Sequence, residues 1–435
     1  MAALCMSLWL GAHCSHCVAS TTVSLNIDQL LDMVELNNKD VAGARANLQV
    51  TQQGLREANA AKLPEITASL NVNYLGDITL MSRHFSDVTR APMPHLGNEL
   101  ELTVYQPVYA GGAITAGVDL ARSRQQMSAT QLSQVRQQVS MQAIACFLEL
   151  FKAYNLRQVY TENIAITNRL VEQMQARHSQ GVVLKNDITR YELRLSTLNY
   201  DLLTINNRID VLNHDLCLML GLADDTVIDT QLTTDVDSLP LPESQSQWLS
   251  TTLANNPTLK TIDISADINA QQRRLLMADK LPKIGLVAGD SFSGPVTFEV
   301  PVIDKNYNFW YFGLSVKYNI SSLFKTSKSL ARNSAERSEI FAKREAAEQQ
   351  LDRTIVNLFT QYTQAYSMLA TEEKNVELAA ENYRIVENRY NNQLALLTDM
   401  LDASTAKLDA DVRLVNARVN IVYYYYQLKY NSGTL

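Results

Sequence analysis

The chain has 435 residues, with 38 Lys and Arg against 45 Asp and Glu, a formal net charge of −7. This mildly acidic balance leaves no electrostatic footprint for nucleic acid. Charged residues make up only 19%, so the abundant Gln, Asn, Ser and Thr supply a polarity without charge that suits a wet lumen.

Residues 1–20 read as a secretory signal. Ala2 to Ala12 is mostly apolar, and Val18-Ala19-Ser20 offers small residues for cleavage before Thr21, although no basic segment precedes the apolar run. Cys5, Cys14 and Cys17 leave with that segment. His13-Cys14-Ser15-His16-Cys17 lacks the partner pair that a zinc site needs. Cys146 and Cys217 remain, each inside a helical run, and read as small buried hydrophobes. After Thr21 no stretch reaches the roughly 18 apolar residues of a membrane-spanning helix. If the chain enters a membrane, it does so with strands.

A short helix is expected over Asp28–Lys62, ending at Lys62-Leu63-Pro64. The chain then alternates: Ile66, Ala68, Leu70, Val72 and Tyr74 share one face, and Thr67, Ser69, Asn71 and Asn73 the other. A two-residue period is the signature of a strand, and about ten residues is the length of a tilted membrane-spanning one. An exposed loop follows over 81–98. Its His84 and His95 read as surface residues, not metal ligands. A return strand then carries Leu100, Leu102 and Val104.

From about Ala113 to Ser179 there is no proline, and the one glycine, Gly117, comes near the start. That is roughly 100 Å of helix at 1.5 Å per residue. Leu132, Val135, Val139, Ala143, Phe147, Leu150 and Tyr154 step by three or four, the stripe of helix-on-helix packing. A break at Gln180-Gly181-Val182, where Gly181 is free to take positive φ, precedes a returning helix from Lys185 to about Leu220. The stretch 221–250, with Pro240 and Pro242, joins the halves as a small belt.

The plan then recurs. A helix over Asn256–Lys280 ends in Lys280-Leu281-Pro282, offset by 218 residues from Lys62-Leu63-Pro64; Asn37-Asn38 and Asn255-Asn256 share that offset. Ile284, Leu286 and Ala288 alternate weakly with Gly285 and Val287. The last strand alternates strongly through Trp310, Phe312, Leu314, Val316 and Tyr318, and its aromatic start suits a membrane interface. A second long helix carries Leu351, Ile355, Leu358, Tyr362, Ala365 and Leu369 in one stripe. Arg177 and Asp187 match Arg389 and Asp399 at an offset of 212, the shift of six falling in the hairpin loop. The expected division is 1–20 signal, 21–220 first repeat, 221–255 linker and equatorial segment, and 256–435 second repeat.

The expected fold is therefore a mixed α and β membrane protein, with long coiled-coil hairpins and four membrane-length strands per chain. An ordinary half-buried soluble sheet also alternates, but the long polar helices offer it no local core. Four strands cannot close alone, and an open sheet in lipid leaves its edges unpaired, so closure demands several chains.

This ordered pattern resembles the TolC family of outer-membrane channel proteins over about Leu25 to Leu428. The resemblance rests on the duplication, on Lys-Leu-Pro before each first strand, and on Val104-Tyr-Gln-Pro-Val-Tyr-Ala-Gly-Gly112 leading into a long helix. Arg389-Tyr390, followed by Thr398-Asp399-Met-Leu-Asp402-Ala403 after the second helical turn, completes it. It implies a homotrimer that closes a twelve-stranded β-barrel in the outer membrane and continues as an α-barrel tunnel across the periplasm. It also implies drug efflux or type I protein secretion, with a periplasmic adaptor and an inner-membrane pump as partners and outer-membrane lipid around the barrel. No cofactor or metal is implied.

Asp399 and Asp402 lie three apart, on one helix face just after the second tip. The resemblance makes them a pore constriction, two rings of three carboxylates that attract cations. By spacing alone they are a solvated helix N-terminus, where Asp is favoured by the dipole. Asp187 and Tyr390 match positions that hold neighbouring hairpins together in the closed state; Asp187 is equally readable as an N-cap. Two departures stand out. Ala395 occupies a place where some members carry arginine, and Gln393 replaces the tip glycine, so one latch contact is missing. The apolar tip residues Gly181, Val182, Val183 and Leu184, with Leu394, Leu396 and Leu397, suit docking of the adaptor. Simple hydrophobic capping of the hairpin ends explains them equally well.

Two other classes of protein compete with the channel. An enzyme lacks support: no nucleophile–base pair stands out, and Gly112–Gly117 has phosphate-loop spacing but Val118 where lysine is required. A structural or adhesin-like coiled-coil surface protein explains long helices, but not two membrane-length hairpins at equivalent places.

Overall fold

The computed structural model describes residues 22–231, 239, 244–299 and 302–435. The expected signal segment with its three cysteines lies outside the described residues, as do Pro240, Pro242 and Pro301. In chain order the elements are β1 (Thr22–Leu25), α1 (Ile27–Asn37), α2 (Lys39–Ala60), β2 (Glu65–Tyr74), β3 (Ile78–Leu80), β4 (Thr89–Ala91) and β5 (Leu96–Tyr109). Then come α3 (Ala113–Ser179), α4 (Lys185–Leu220), β6 (Val227–Thr230), α5 (Gln245–Asn255), α6 (Pro257–Ala278), β7 (Lys283–Gly294), β8 (Tyr307–Lys317), α7 (Ser322–Asn391) and α8 (Leu397–Ser432). No helix among the described residues is long and apolar enough to cross a membrane.

The chain folds as two compact units. One is helical and gathers the described residues up to Gly43, Gln134–Asn256 and Gln350–Leu435; the other carries the main sheet and gathers Ala44–Ser133 and Pro257–Gln349.

In the helical unit the expected stripes are core: Val139, Ala143, Phe147 and Leu150 on α3 and Ile355, Tyr362 and Ala365 on α7 are buried. Tyr154 ends its stripe by donating its hydroxyl to the Ile228 carbonyl at 3.1 Å. Strand β6 pairs in parallel with β1, a two-stranded patch too short to announce itself in the sequence. Cys217 is buried and Cys146 half-buried, both as free thiols, and each donates to a backbone carbonyl.

The first opening helix, expected as one piece over Asp28–Lys62, is two. Asn38 interrupts it, because its side-chain oxygen accepts from the backbone N–H of Asp40 and Val41 and so caps α2. Its amide also donates to the Met219 carbonyl at 3.2 Å. In the second copy Asn256 plays the same part, donating to the Asn431 carbonyl at 2.8 Å, while Pro257 stands at the first position of α6. The offset of 218 relates α5 to α1 as well as α6 to α2. A helix therefore occupies 245–255, the end of the segment expected to be linker, since the Asn-Pro junction breaks the helix without ending the repeat.

In the other unit, β2, β5, β7 and β8 form one antiparallel sheet in that order, and the β3–β4 hairpin stands in the loop between β2 and β5. The register sets Ile66 opposite Val104, Ala68 opposite Leu102 and Leu70 opposite Leu100. It sets Leu286 opposite Leu314 and Ala288 opposite Phe312. One face is thus largely apolar, interrupted by Asp290 between Leu102 and Trp310, and it is exposed: Trp310 is 73% and Phe312 69% accessible. Strands β2 and β8 are the edges.

The weak alternation of β7 has a packing cause. A Cβ on Gly285 would lie 2.5 Å from Cζ of Tyr105, and one on Gly289 would lie 2.5 Å from Cε1 of Tyr311. The glycines give up the pattern so that tyrosine rings of the neighbouring strands can lie across them.

Candidate functional site

The residues expected to act gather where α3 turns into α4 and α7 turns into α8, within the helical unit. Both turns use the same hydrogen bonds. Val182 N–H donates to the Arg177 carbonyl at 3.0 Å, and Leu394 N–H to the Arg389 carbonyl at 2.7 Å. This is the six-to-one closure of a helix end through a left-handed residue. Gly181 supplies it with φ +77°; Gln393 adopts φ +62° despite its side chain. The loss of glycine, then, does not change the turn. His178 donates from Nδ1 to the Val183 carbonyl at 2.7 Å, which fixes its tautomer, since a carbonyl only accepts. Arg389 donates to the Leu394 carbonyl at 3.3 Å in the other turn.

Beneath the turns lies a dedicated core. Leu170, Val171 and Met174 of α3, Ile188 and Tyr191 of α4, Tyr383 of α7, and Leu397, Met400 and Ala403 of α8 are all buried in it. The offset of 212 maps Ile188 onto Met400 and Tyr191 onto Ala403. This core was missed in the sequence, although the spacing of three in both copies was the signal for it. Tyr191 is held with its hydroxyl buried and unpartnered, and burial pushes its phenol well above the ordinary range. Tyr383 is pushed up to about 12 by burial, then by the Glu387 carboxylate.

The expected docking residues divide. Leu397 is buried in this core and Val183 packs against it, so for these two hydrophobic capping is the role the structure displays. Val182, Leu184, Leu394 and Leu396 are exposed, Leu184 at 72% and Leu396 at 70%. They recur at the offset of 212, one pair on each turn. Gly181 is exposed and open around its Cα.

Asp187 is not an N-cap. That place belongs to Leu184, whose side chain offers no acceptor, and Asp187 stands in the first turn of α4. In α8 the corresponding Asp399 accepts from Leu396 N–H at 3.0 Å, fastening the helix start with a carboxylate. Asp399 and Asp402 are both exposed, on the same face. Tyr390 packs against the tip core, and its phenol is pushed up by burial; the Arg177 guanidinium, 5.9 Å over its ring, opposes that, while Asp187 adds to it. Asp187 and Tyr390 are thus electrostatic neighbours within one chain. Arg177 also donates to Asn391 at 3.2 Å, tying the two turns together. What the arrangement offers chemically is a rigid end that presents carboxylates and paired apolar side chains to the outside.

Comparison with known proteins gives one consistent family. The model of the family described as outer membrane efflux protein matches residues 30–221 and 248–430. The chain is similar to outer membrane efflux protein BepC of Brucella suis biovar 1 (strain 1330), 20% identical over 403 residues that cover 92% of this chain and 83% of that protein. It is also similar to outer membrane protein TolC of Salmonella enteritidis, 20% identical over 426 residues, 94% of this chain and 82% of that one. Among solved structures, the outer membrane protein VceC of Vibrio cholerae superposes with a TM-score of 0.76 at 17% identity, covering 94% of this chain and 96% of that chain.

Proposed function

The chain belongs to the outer membrane efflux protein family, and on that premise we propose that it is one subunit of a trimeric channel. The channel passively exports substrates that an inner-membrane pump delivers through a periplasmic adaptor. One observation carries the reading: a four-stranded sheet with one largely apolar face exposed, in which the outer edges of β2 and β8 pair with no other described strand. In lipid each unsatisfied backbone group costs several kcal/mol. Twelve strands from three chains remove every edge and turn the apolar face to the hydrocarbon. The two copies, 21–220 and a second that begins with α5 at 245 and runs to 435, then supply the hairpins of a tunnel in the periplasm.

At the tip, Asp399 and Asp402 form the cation-attracting constriction, repeated by threefold symmetry. Asp187 and Tyr390 contribute to the closed state, weakened by Ala395. Gly181, Val182, Leu184, Leu394 and Leu396 make the adaptor surface, with Val183 and Leu397 stiffening it from below. Exposed apolar pairs recurring on both turns support that assignment.

The test is export of a fluorescent cation from cells carrying the channel, its adaptor and its pump. Leu184→Lys with Leu396→Lys places charge where a partner's apolar tips would sit. Trimers should assemble normally while export falls to background. Undiminished export by this variant would remove the docking assignment.

A further inference from the structure

A cleft of about 680 Å³ opens in the sheet-bearing unit, beside the junction where β5 ends and α3 begins. Its walls are the start of α3, with Gly111, Gly112 and Thr115, and the face of α6 that carries Arg273, Arg274 and Asn269. Arg337 of α7 closes it. No Asp or Glu is among its lining residues.

The three guanidinium groups have few counter-charges. Among the described residues Arg273 reaches the Ser334 hydroxyl, at 3.4 Å. Arg337 lies 5.4 Å over the Phe341 ring. Arg274 stands 3.6 Å from Asp119, but that carboxylate is already held by Arg122 at 2.7 Å.

A second observation extends beyond the cleft, since nine of the basic residues counted next lie outside its lining. On the helix side of the four strands, segments 45–64, 110–129, 263–282 and 318–337 hold twelve Lys and Arg against six Asp and Glu. Beyond the other strand ends, 75–95 and 295–306 hold three against four. The whole chain is acidic, so this basic concentration is local. It begins where the exposed apolar face of the sheet stops, the level of lipid headgroups once the strands span a bilayer. Long arginine stems reach from helix sides to such a level, and planar guanidinium forks suit phosphate oxygens.

We propose that this cleft binds the phosphate of an anionic phospholipid in the leaflet facing the helices. The proposal rests on the reading that these strands span the outer membrane. A diester phosphate enters between Arg273 and Arg337, and the acyl chains lie along the apolar sheet face next to the cleft. The place of the basic segments at the helix-side ends of the strands favours lipid over a free anion.

The experiment is native mass spectrometry of the assembled channel in mild detergent, titrated with phosphatidylglycerol, phosphatidylcholine or inorganic phosphate. Arg273→Gln with Arg337→Gln is compared with the charge-retaining Arg273→Lys with Arg337→Lys, which also controls for folding. Each basic group near an anionic surface contributes about fivefold. The Gln pair should therefore lose phosphatidylglycerol by roughly 30-fold, the Lys pair by much less, and phosphatidylcholine should not distinguish them. Equal phosphatidylglycerol binding by wild type and the Gln pair would overturn the proposal. Arginine-dependent binding of inorganic phosphate, with no preference among lipids, would assign the cleft to a free anion instead. Conductance recorded on the same preparations separates the two levels. Conducting channels without lipid preference sink this inference alone, whereas a protein that neither assembles nor conducts removes the channel reading beneath it.

Discussion

Replacing Gly285 by alanine gives the sharpest test of how the sheet is packed. The added Cβ would sit 2.5 Å from Cζ and 2.6 Å from Oη of Tyr105. Ordinary carbon contacts lie at about 3.5–4.0 Å, so the ring must move by roughly 1 Å or leave its rotamer. Overpacking of this kind costs about 1–3 kcal/mol. Gly313 on β8 is the internal control, because a Cβ there meets nothing within 4 Å. Gly313→Ala should therefore change stability little. The assay is the guanidinium midpoint of the detergent-solubilised protein for Gly285→Ala, Tyr105→Ala and the double variant. Removing the ring first makes the extra methyl harmless, so the double variant should recover most of the Gly285→Ala loss, a coupling of about 1 kcal/mol or more. Strict additivity, or an equal loss for Gly313→Ala, would show that the glycines of β7 are not there to admit tyrosine rings.

Tyr191→Phe should leave the tip intact or stabilise it by about 1 kcal/mol, because it removes a buried hydroxyl that has no partner; slower amide exchange across 185–192 would show this, and faster exchange would mean that the hydroxyl is satisfied. Cys146, pushed up to about 11 by burial and then by Asp215, should alkylate slowly at pH 8. Its rate should climb tenfold per pH unit until about pH 11, whereas a plateau near pH 8.5 would contradict the burial. Asn38→Ala removes the cap of α2 and the tie to Met219, at a cost of about 1–2 kcal/mol, measured as a lowered unfolding midpoint. No change would mean that the interruption at Asn38 does not depend on its side chain.

The four strands and the two long helices were legible because their patterns are long. Ten residues of alternation in β2 and an unbroken run from Ala113 to Ser179 leave little room for other readings. Lys-Leu-Pro, twice at one offset, fixed where strands begin. Shorter features were not legible. Strands β1 and β6 hold four residues each, and their parallel pairing joins positions about two hundred residues apart. Asn38 looked like a helical position in a polar run; only its bonds to the start of α2 and to Met219 make it a break. The glycines of β7 read as a weakened strand until Tyr105 and Tyr311 are placed across them. At the tip, the sequence did not show how the apolar residues divide between core and surface. Val183 and Leu184 are neighbours of similar character, and one packs inward while the other stands out, because the backbone at Leu184 is extended and successive side chains there point to opposite sides. The tip core itself is spread over four helices, each contributing one to three buried residues, too few for any one helix to show it.

We propose that three of these chains form a channel whose periplasmic end is narrowed by carboxylates. Single-channel conductance of the purified protein in a planar bilayer tests it most directly, with wild type beside Asp399→Ala with Asp402→Ala. The account predicts a small, cation-selective conductance that loses its selectivity in the double variant. Correctly assembled trimers that pass no current in either form would contradict the channel, and stable channels indifferent to the substitutions would contradict the acidic constriction.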